Sequence, residues 1–196
     1  MIRQEIMREY INHDGGATAQ LELPGNRTMA EESVSGAESL VHTLAGSGVD
    51  TCFTNPGTSE MHFVAALDRV PGVRCVLGLF EGVATGAADG YARLTRKPAA
   101  TLLHCGPGLA NGLANLHNAQ RARVPMVNIV GDHATYHRVF DTPLAADIEG
   151  WARPISVWTR TACGAETVGV DAAAAVQAAK CLRRNACGEM PAALPR

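Results

Sequence analysis

The chain has 196 residues, of which 46% are hydrophobic and 18% charged, and a formal net charge of -2. That profile suits one globular domain with some chain to spare and enough apolar surface for a sizeable core. It argues against nucleic acid as a partner, since no run of Lys or Arg forms a basic stripe, and no apolar stretch approaches the ~20 residues of a membrane-spanning helix.

Residues 1–32 are polar, carry Gly15-Gly16 and Pro24-Gly25-Asn26, and hold no sustained period. They read as a flexible leader, with weak support for a short helix at Ile2 to Ile11 and with Met29 as an alternative start. Order is expected over 33–188. Ser33 or Ser35 caps a helix whose apolar positions are Ala37, Leu40, Val41, Leu44 and Ala45, closed by Gly46 and Gly48. Val49 to Thr54 reads as a strand, Asn55-Pro56-Gly57 as a turn and Glu60 to Asp68 as a helix. Val73 to Phe80 follows as a buried strand and Gly82 to Leu94 as a helix. Then come a strand at Ala99 to His104, a loop at Cys105-Gly106-Pro107-Gly108, a helix from Leu109 to Ala122 and a strand from Pro125 to Gly131. Asp132 to Glu149 is loop-like, Ile155 to Trp158 a further strand, and Asp171 to Asn185 a helix capped by Asp171, with Lys180, Arg183 and Arg184 at its negative end. Residues 189–196 form an irregular tail. Strands alternating with helices, and running continuously apolar, specify an α/β fold: a single doubly wound parallel-sheet domain.

The cysteines, at 52, 75, 105, 163, 181 and 187, form no C-x-x-C pair, and no histidine stands at zinc-site spacing. No metal is expected from this chain. Cys52 and Cys75 read as small buried hydrophobes. Met1 to Tyr10 lacks a secretory h-region, so a reducing cytoplasmic location is expected.

Glu81 ends the apolar run Val76-Leu77-Gly78-Leu79-Phe80 and opens a helix of small residues. That puts a carboxyl at a strand's C-terminal end, where ligands of open α/β sheets gather. Leu79 and Phe80 are expected to desolvate it and favour its neutral, hydrogen-bond-donating form. For Glu81 taken alone, the plainer reading, an acid complementing the helix dipole, is the better one. His104 ends the next strand and suits acid–base work, or is merely satisfied by backbone. His133 and His137 read as solvated, and Asn111 and Asn115 as bonds to loop backbone. There is no G-x-G-x-x-G after a strand and no P-loop, which excludes the usual NAD and nucleotide cradles.

Four blocks carry a resemblance: Asn55-Pro56-Gly57-Thr58-Ser59-Glu60, Phe80-Glu81 through Ala92-Arg93, Gly106-Pro107-Gly108-Leu109-Ala110-Asn111, and Val124-Pro125 through Val130-Gly131. In this order and spacing they resemble the pyrimidine-binding domain of thiamine-diphosphate enzymes of the acetolactate synthase large-subunit type, over roughly 35–161. The resemblance implies thiamine diphosphate as cofactor. It gives Glu81 a hydrogen bond to the aminopyrimidine ring that favours the imino tautomer, which removes the thiazolium proton. It places Pro56, Gly57, Thr58, Gly106, Pro107 and Asn111 around the cofactor. It aligns His104 with the active-site His of benzoylformate-decarboxylase-like members, Thr58 with their Ser and Glu60 with an acid. A small 2-oxo acid is then the substrate, and the small-faced helix after Glu81 packs on a neighbouring subunit, in a homo-oligomer or against a partner chain.

The sequence also departs from that pattern. It has no Gly-Asp-Gly, the motif that with a later Asn holds diphosphate and Mg²⁺ in such enzymes; Gly131-Asp132-His133 is the nearest string. Acetolactate synthases tend to carry Gln where Asp132 stands. The expectation is therefore an incomplete enzyme half, inactive alone. The alternatives are a subunit of a split 2-oxo-acid decarboxylase and a truncated remnant that only oligomerises.

Overall fold

A computed structural model describes residues 34–182 and 185–191. The expected leader at 1–32, its short helix, Arg183, Arg184 and residues 192–196 lie outside the described residues. Order opens at Ser35. Its hydroxyl accepts the Glu38 N–H at 3.2 Å while the Glu38 carboxylate accepts the Ser35 N–H at 3.0 Å, a capping box that starts α1 (Gly36–Gly46). There follow β1 (Thr51–Asn55), a 3-10 turn (Thr58–Glu60), α2 (Met61–Arg69), β2 (Arg74–Leu77) and α3 (Glu81–Thr95). After these come β3 (Ala99–Leu103), α4 (Cys105–Arg121), β4 (Met126–Asp132), α5 (Ile148–Ala152), β5 (Trp158–Thr161), α6 (Val168–Leu182) and β6 (Asn185–Pro191).

The strands form one parallel sheet in the order β2-β1-β3-β4-β6-β5. Each central strand turns alternate side chains to opposite faces, so a continuous apolar run feeds two cores at once. Cys52, Ala100, Leu102, Val127 and Ile129 meet α1, α2 and α6. Phe53, Leu103, Met126 and Val130 meet α3, α4 and α5. Asn128 is a fully buried polar residue in the middle of β4. It is satisfied across three strands: Thr101 Oγ1 donates to its Oδ1 at 2.9 Å, and its Nδ2 donates to the Ala186 carbonyl at 3.3 Å.

The doubly wound sheet agrees with the expectation from sequence, and several elements correct it. β2 is shorter than Val73 to Phe80 and lies at the sheet's edge, with Arg74, Cys75 and Leu77 exposed. Cys75 is therefore not the buried hydrophobe expected, whereas Cys52 is. An apolar run reports a strand, but its place in the sheet is decided by which strand pairs beyond it. α4 begins at Cys105 and takes in Gly106-Pro107-Gly108, because a proline in the first turn gives up an N–H that has no partner there. β5 is Trp158–Thr161, displaced from Ile155 by a 3-10 turn at Arg153–Ile155. α6 starts at Val168, so Asp171 lies in its first turn and is not its cap. The tail is corrected where it starts: Glu189 to Pro191 complete β6, whose ladder with β4 overrides the weak strand propensity of Asn, Gly and Pro.

Candidate active site

All six strands point the same way, so their C-terminal ends share one edge. From β1 the chain winds outward to β2, and from β3 it winds the opposite way to β4. The reversal leaves a crevice between β1 and β3, where ligands of such sheets bind. The loop at 55–60 and the His104-Cys105 pair flank it.

Glu60 sits beneath that crevice with no exposed surface. Its Oε2 accepts the Gly57 N–H at 2.7 Å and faces His104 Nδ1 at 2.9 Å. Cys105 Sγ lies 3.9 Å from its Oε1, and the same thiol donates to Ser59 Oγ at 3.3 Å. Two glycines make room: a Cβ at Gly131 would overlap Glu60 Oε1, and one at Gly57 would overlap the His104 ring. Cys105 has a φ of 51°, a left-handed backbone that a non-glycine residue adopts only under constraint. Burial pushes its thiol up to about 11, helped by the Glu60 and Asp132 charges and opposed by the Ser59 hydroxyl. His104 is therefore held by a carboxylate, and not by the backbone bonds weighed as its plainer reading.

Glu81 occupies a second corner at the start of α3, buried at 7% exposure. Asn111 Nδ2 donates to its Oε2 at 2.9 Å. Its Oε1 takes no hydrogen bond from the described residues and lies 2.9 Å from where a Cβ on Gly108 would sit. Asn111 thus binds the acid directly, a correction to the expectation of loop backbone, while Asn115 does bond backbone, at Gly82 O, 2.6 Å. The expected desolvating neighbours do not shield Glu81: Leu79 is 90% and Phe80 48% exposed. The first turns of α4 enclose the carboxyl instead. They also link the corners, since His104 precedes the helix and its carbonyl accepts the Gly108 N–H at 2.8 Å.

Other singled-out residues fall around these two corners. Thr58 is exposed at the head of its turn, Pro56 half-buried before it, and Pro107 exposed on α4. Gly106 is buried against Ala146 and Leu144, which brings the loop after β4 down onto the α4 terminus. His137 is exposed as expected; His133 is half-buried, with Nε2 lacking a partner among the described residues. Sequence reasoning missed one further cluster. Arg138 Nε lies 2.9 Å from Asp132 Oδ2 and its Nη2 2.6 Å from Glu189 Oε1, pinning that loop to two buried strand-end carboxylates. Burial and the neighbouring Asp132 push Glu189 up to about 7, against the pull of Arg138 and Thr161. Cys105 stands out in the sequence as the one cysteine near interesting chemistry, but nothing local gives its thiol a role.

Residues 34–150 match the family described as thiamine pyrophosphate enzyme, N-terminal TPP binding domain. The chain is 64% identical over 147 residues to "Putative acetolactate synthase large subunit IlvX" of Mycobacterium tuberculosis, 75% of this chain and 28% of that protein. It is 32% identical over 137 residues to benzoylformate decarboxylase of Pseudomonas aeruginosa, 69% of this chain and 26% of that one. The fold matches the thiamine diphosphate-dependent 4-hydroxybenzoylformate decarboxylase of Rhodococcus jostii RHA1 with a TM-score of 0.74 and 25% identity, over 80% of this chain and 30% of the other. The chain thus spans less than a third of the length of these relatives.

Proposed function

Since the chain belongs to the N-terminal TPP-binding domain family of thiamine pyrophosphate enzymes, we propose that it supplies the aminopyrimidine half of a thiamine-diphosphate site in an acetolactate-synthase-like 2-oxo-acid decarboxylase or carboligase. The observation that carries this is the half-satisfied Glu81. Asn111 fixes one carboxyl oxygen, and the other takes no hydrogen bond among the described residues and lies beside the space that Gly108 keeps clear. A buried carboxyl with one free oxygen fits a ring nitrogen that needs a hydrogen bond. When bound, the cofactor supplies a carbanion sink. Glu81 holds a proton at the pyrimidine side, and Asn111 orients it.

His104 faces the substrate side in this reading. With Nδ1 committed to Glu60, Nε2 is left to exchange a proton with a bound 2-oxo acid. The His104–Glu60 pairing favours decarboxylation over acetolactate formation, in keeping with the benzoylformate decarboxylase relative. Diphosphate and Mg²⁺ fall to residues outside this sequence, which has no Gly-Asp-Gly. Turnover requires a domain that carries those groups, in this proposal on a second subunit, and the 196 residues by themselves are inactive. The exposed Leu77, Leu79, Phe80 and Val83 around Glu81 give that subunit an apolar landing. The small residues of α3 serve it less than expected, because Ala84, Thr85, Ala88 and Ala92 are buried within the chain.

The test is turnover of pyruvate and benzoylformate with thiamine diphosphate and Mg²⁺, by the 196-residue chain alone and with a diphosphate-binding domain supplied in trans. Activity only in the mixture supports the split-subunit form. Robust turnover by the chain alone overturns its incompleteness, and thiamine diphosphate that fails to bind the mixture leaves only an oligomerising remnant.

A further inference from the structure

We propose that Glu60, His104 and Cys105 form a binding site for a borderline-soft divalent cation, Zn²⁺, which holds His104 when it binds. One ligand atom from each of these residues lies within 4.8 Å of the other two. Oxygen, imidazole nitrogen and sulfur together match the donor preference of Zn²⁺ and not that of Mg²⁺ or Ca²⁺, which favour oxygen alone. Donors around a tetrahedral zinc stand roughly 3.3–3.5 Å apart, given bonds of about 2.0 Å to N and O and 2.3 Å to S. Movements of roughly 1 Å would therefore close the three around an ion.

The surroundings are those of a held site. Glu60 and Cys105 are fully buried, while the His104 side chain is 26% exposed and gives the ion its way in. The Gly57 N–H at 2.7 Å orients the carboxylate, and the Ser59 hydroxyl at 3.3 Å stands ready to hydrogen-bond the sulfur. Gly131 opens the space that Glu60 fills, and the left-handed backbone of Cys105 keeps its sulfur in the cluster. A carboxylate and a thiolate neutralise the ion's two charges, which matters because an unpaired charge is costly in a buried site. Binding breaks the Cys105 S–H bond, forms a Zn–S bond and sends one proton to solvent, with no change of oxidation state. Three protein ligands leave a fourth position open. Zinc in that place competes for the histidine that the proposed decarboxylation uses, so it acts as a reversible inhibitor.

The experiment needs no thiamine diphosphate, so its failure leaves the proposed function untouched. Co²⁺ is titrated into the full chain and read by thiolate-to-cobalt absorption in the near ultraviolet, and Zn²⁺ affinity is measured against a chromophoric chelator. The expected result is one site per chain, with Zn²⁺ affinity at least tenfold lower in Cys105→Ser and in Glu60→Gln. The band should persist when the exposed thiols Cys75, Cys163 and Cys181 are replaced together by Ser. Should the two site variants unfold, X-ray absorption of that thiol-depleted, Zn²⁺-loaded chain decides: a shell with one sulfur and one imidazole supports the site, and a shell of nitrogen and oxygen alone overturns it. Absence of stoichiometric binding, or equal affinity in folded Cys105→Ser and Glu60→Gln, also overturns it.

Discussion

Glu60 and Glu81 are both buried acids at strand C-terminal ends, yet the chain treats them differently. Glu60 is complete within the molecule. One of its oxygens meets a backbone N–H and an imidazole, the other approaches a thiol, and Gly131 gives up a side chain to accommodate it. Glu81 is left half-made, with one oxygen bound by Asn111 and its sequence neighbours Leu79, Phe80 and Val83 exposed. With no ion bound, Glu60 has its partners in its own chain, whereas Glu81 leaves an oxygen for something from outside. Read from sequence, Glu81 carries the greater weight and Glu60 only an alignment. In the fold, Glu60 has more hydrogen-bond partners than Glu81.

The sharpest way to break this comparison is to exchange each acid for its amide. In an enzyme reconstituted with a diphosphate-binding domain, Glu81→Gln should lower kcat by at least ~10²-fold, as expected for a proton-holding group. The melting temperature of the chain should stay unchanged, because only one internal hydrogen bond is altered. Glu60→Gln should do the reverse to the fold, costing about 1–3 kcal/mol, since an amide cannot accept from every donor that now meets the carboxylate. Urea unfolding of both variants beside steady-state kinetics reads the two effects. Near-native turnover by Glu81→Gln would withdraw the cofactor assignment.

Gly131 offers a smaller test of the finished corner. Gly131→Ala should destabilise by about 1–3 kcal/mol, because its methyl falls on Glu60 Oε1 inside a packed strand. Combined with Glu60→Ala, which removes the clashing atoms, the penalty should be clearly less than additive in a double-mutant cycle. Additive penalties would mean that Gly131 serves β4 and not Glu60.

The finished corner was also the harder one to read from sequence. Periodicity found α1, α3, β3 and β4, because their apolar residues recur at helical spacing or run continuously, and the turn block at 55–60 was recognised by its residues. Contacts between distant segments left no such mark. Gly131 looked like the end of an apolar run, and nothing local ties it to Glu60, 71 positions earlier. Arg138, Asp132 and Glu189 meet only because β6 pairs beside β4, and β6 itself has little strand character. Leu79 and Phe80 misled for the opposite reason: they are apolar where the chain turns outward, so their proximity in sequence to Glu81 gives it no shelter.

The Arg138 cluster gives a prediction in pH. Glu189 rises from its ordinary 4.5 to about 7 in the folded chain. The folded state then binds a proton more tightly than the unfolded one. Its contribution to stability is full below about pH 4.5 and is lost as pH climbs through 7. Glu189→Gln should flatten that slope and melt higher than the wild type at pH 8, provided Arg138 keeps its pairing with Asp132. Identical pH profiles for the two proteins would show that Arg138 neutralises the pair fully.

The smallest effect on the fold is expected at the unfinished corner, and there a null result on stability is informative. Leu79→Lys with Val83→Lys replaces residues that are 90% and 58% exposed, so unfolding free energy should move by no more than about 0.5 kcal/mol. Self-association should weaken, because an apolar patch beside an edge strand is what a second subunit would cover. Sedimentation of wild type and double variant over a wide concentration range separates the outcomes. A wild type that stays monomeric throughout would remove the second copy as the neighbour of Glu81. If instead the double variant loses stability, Leu79 and Val83 pack within the chain, and the contrast between a closed Glu60 and an open Glu81 fails at its open end.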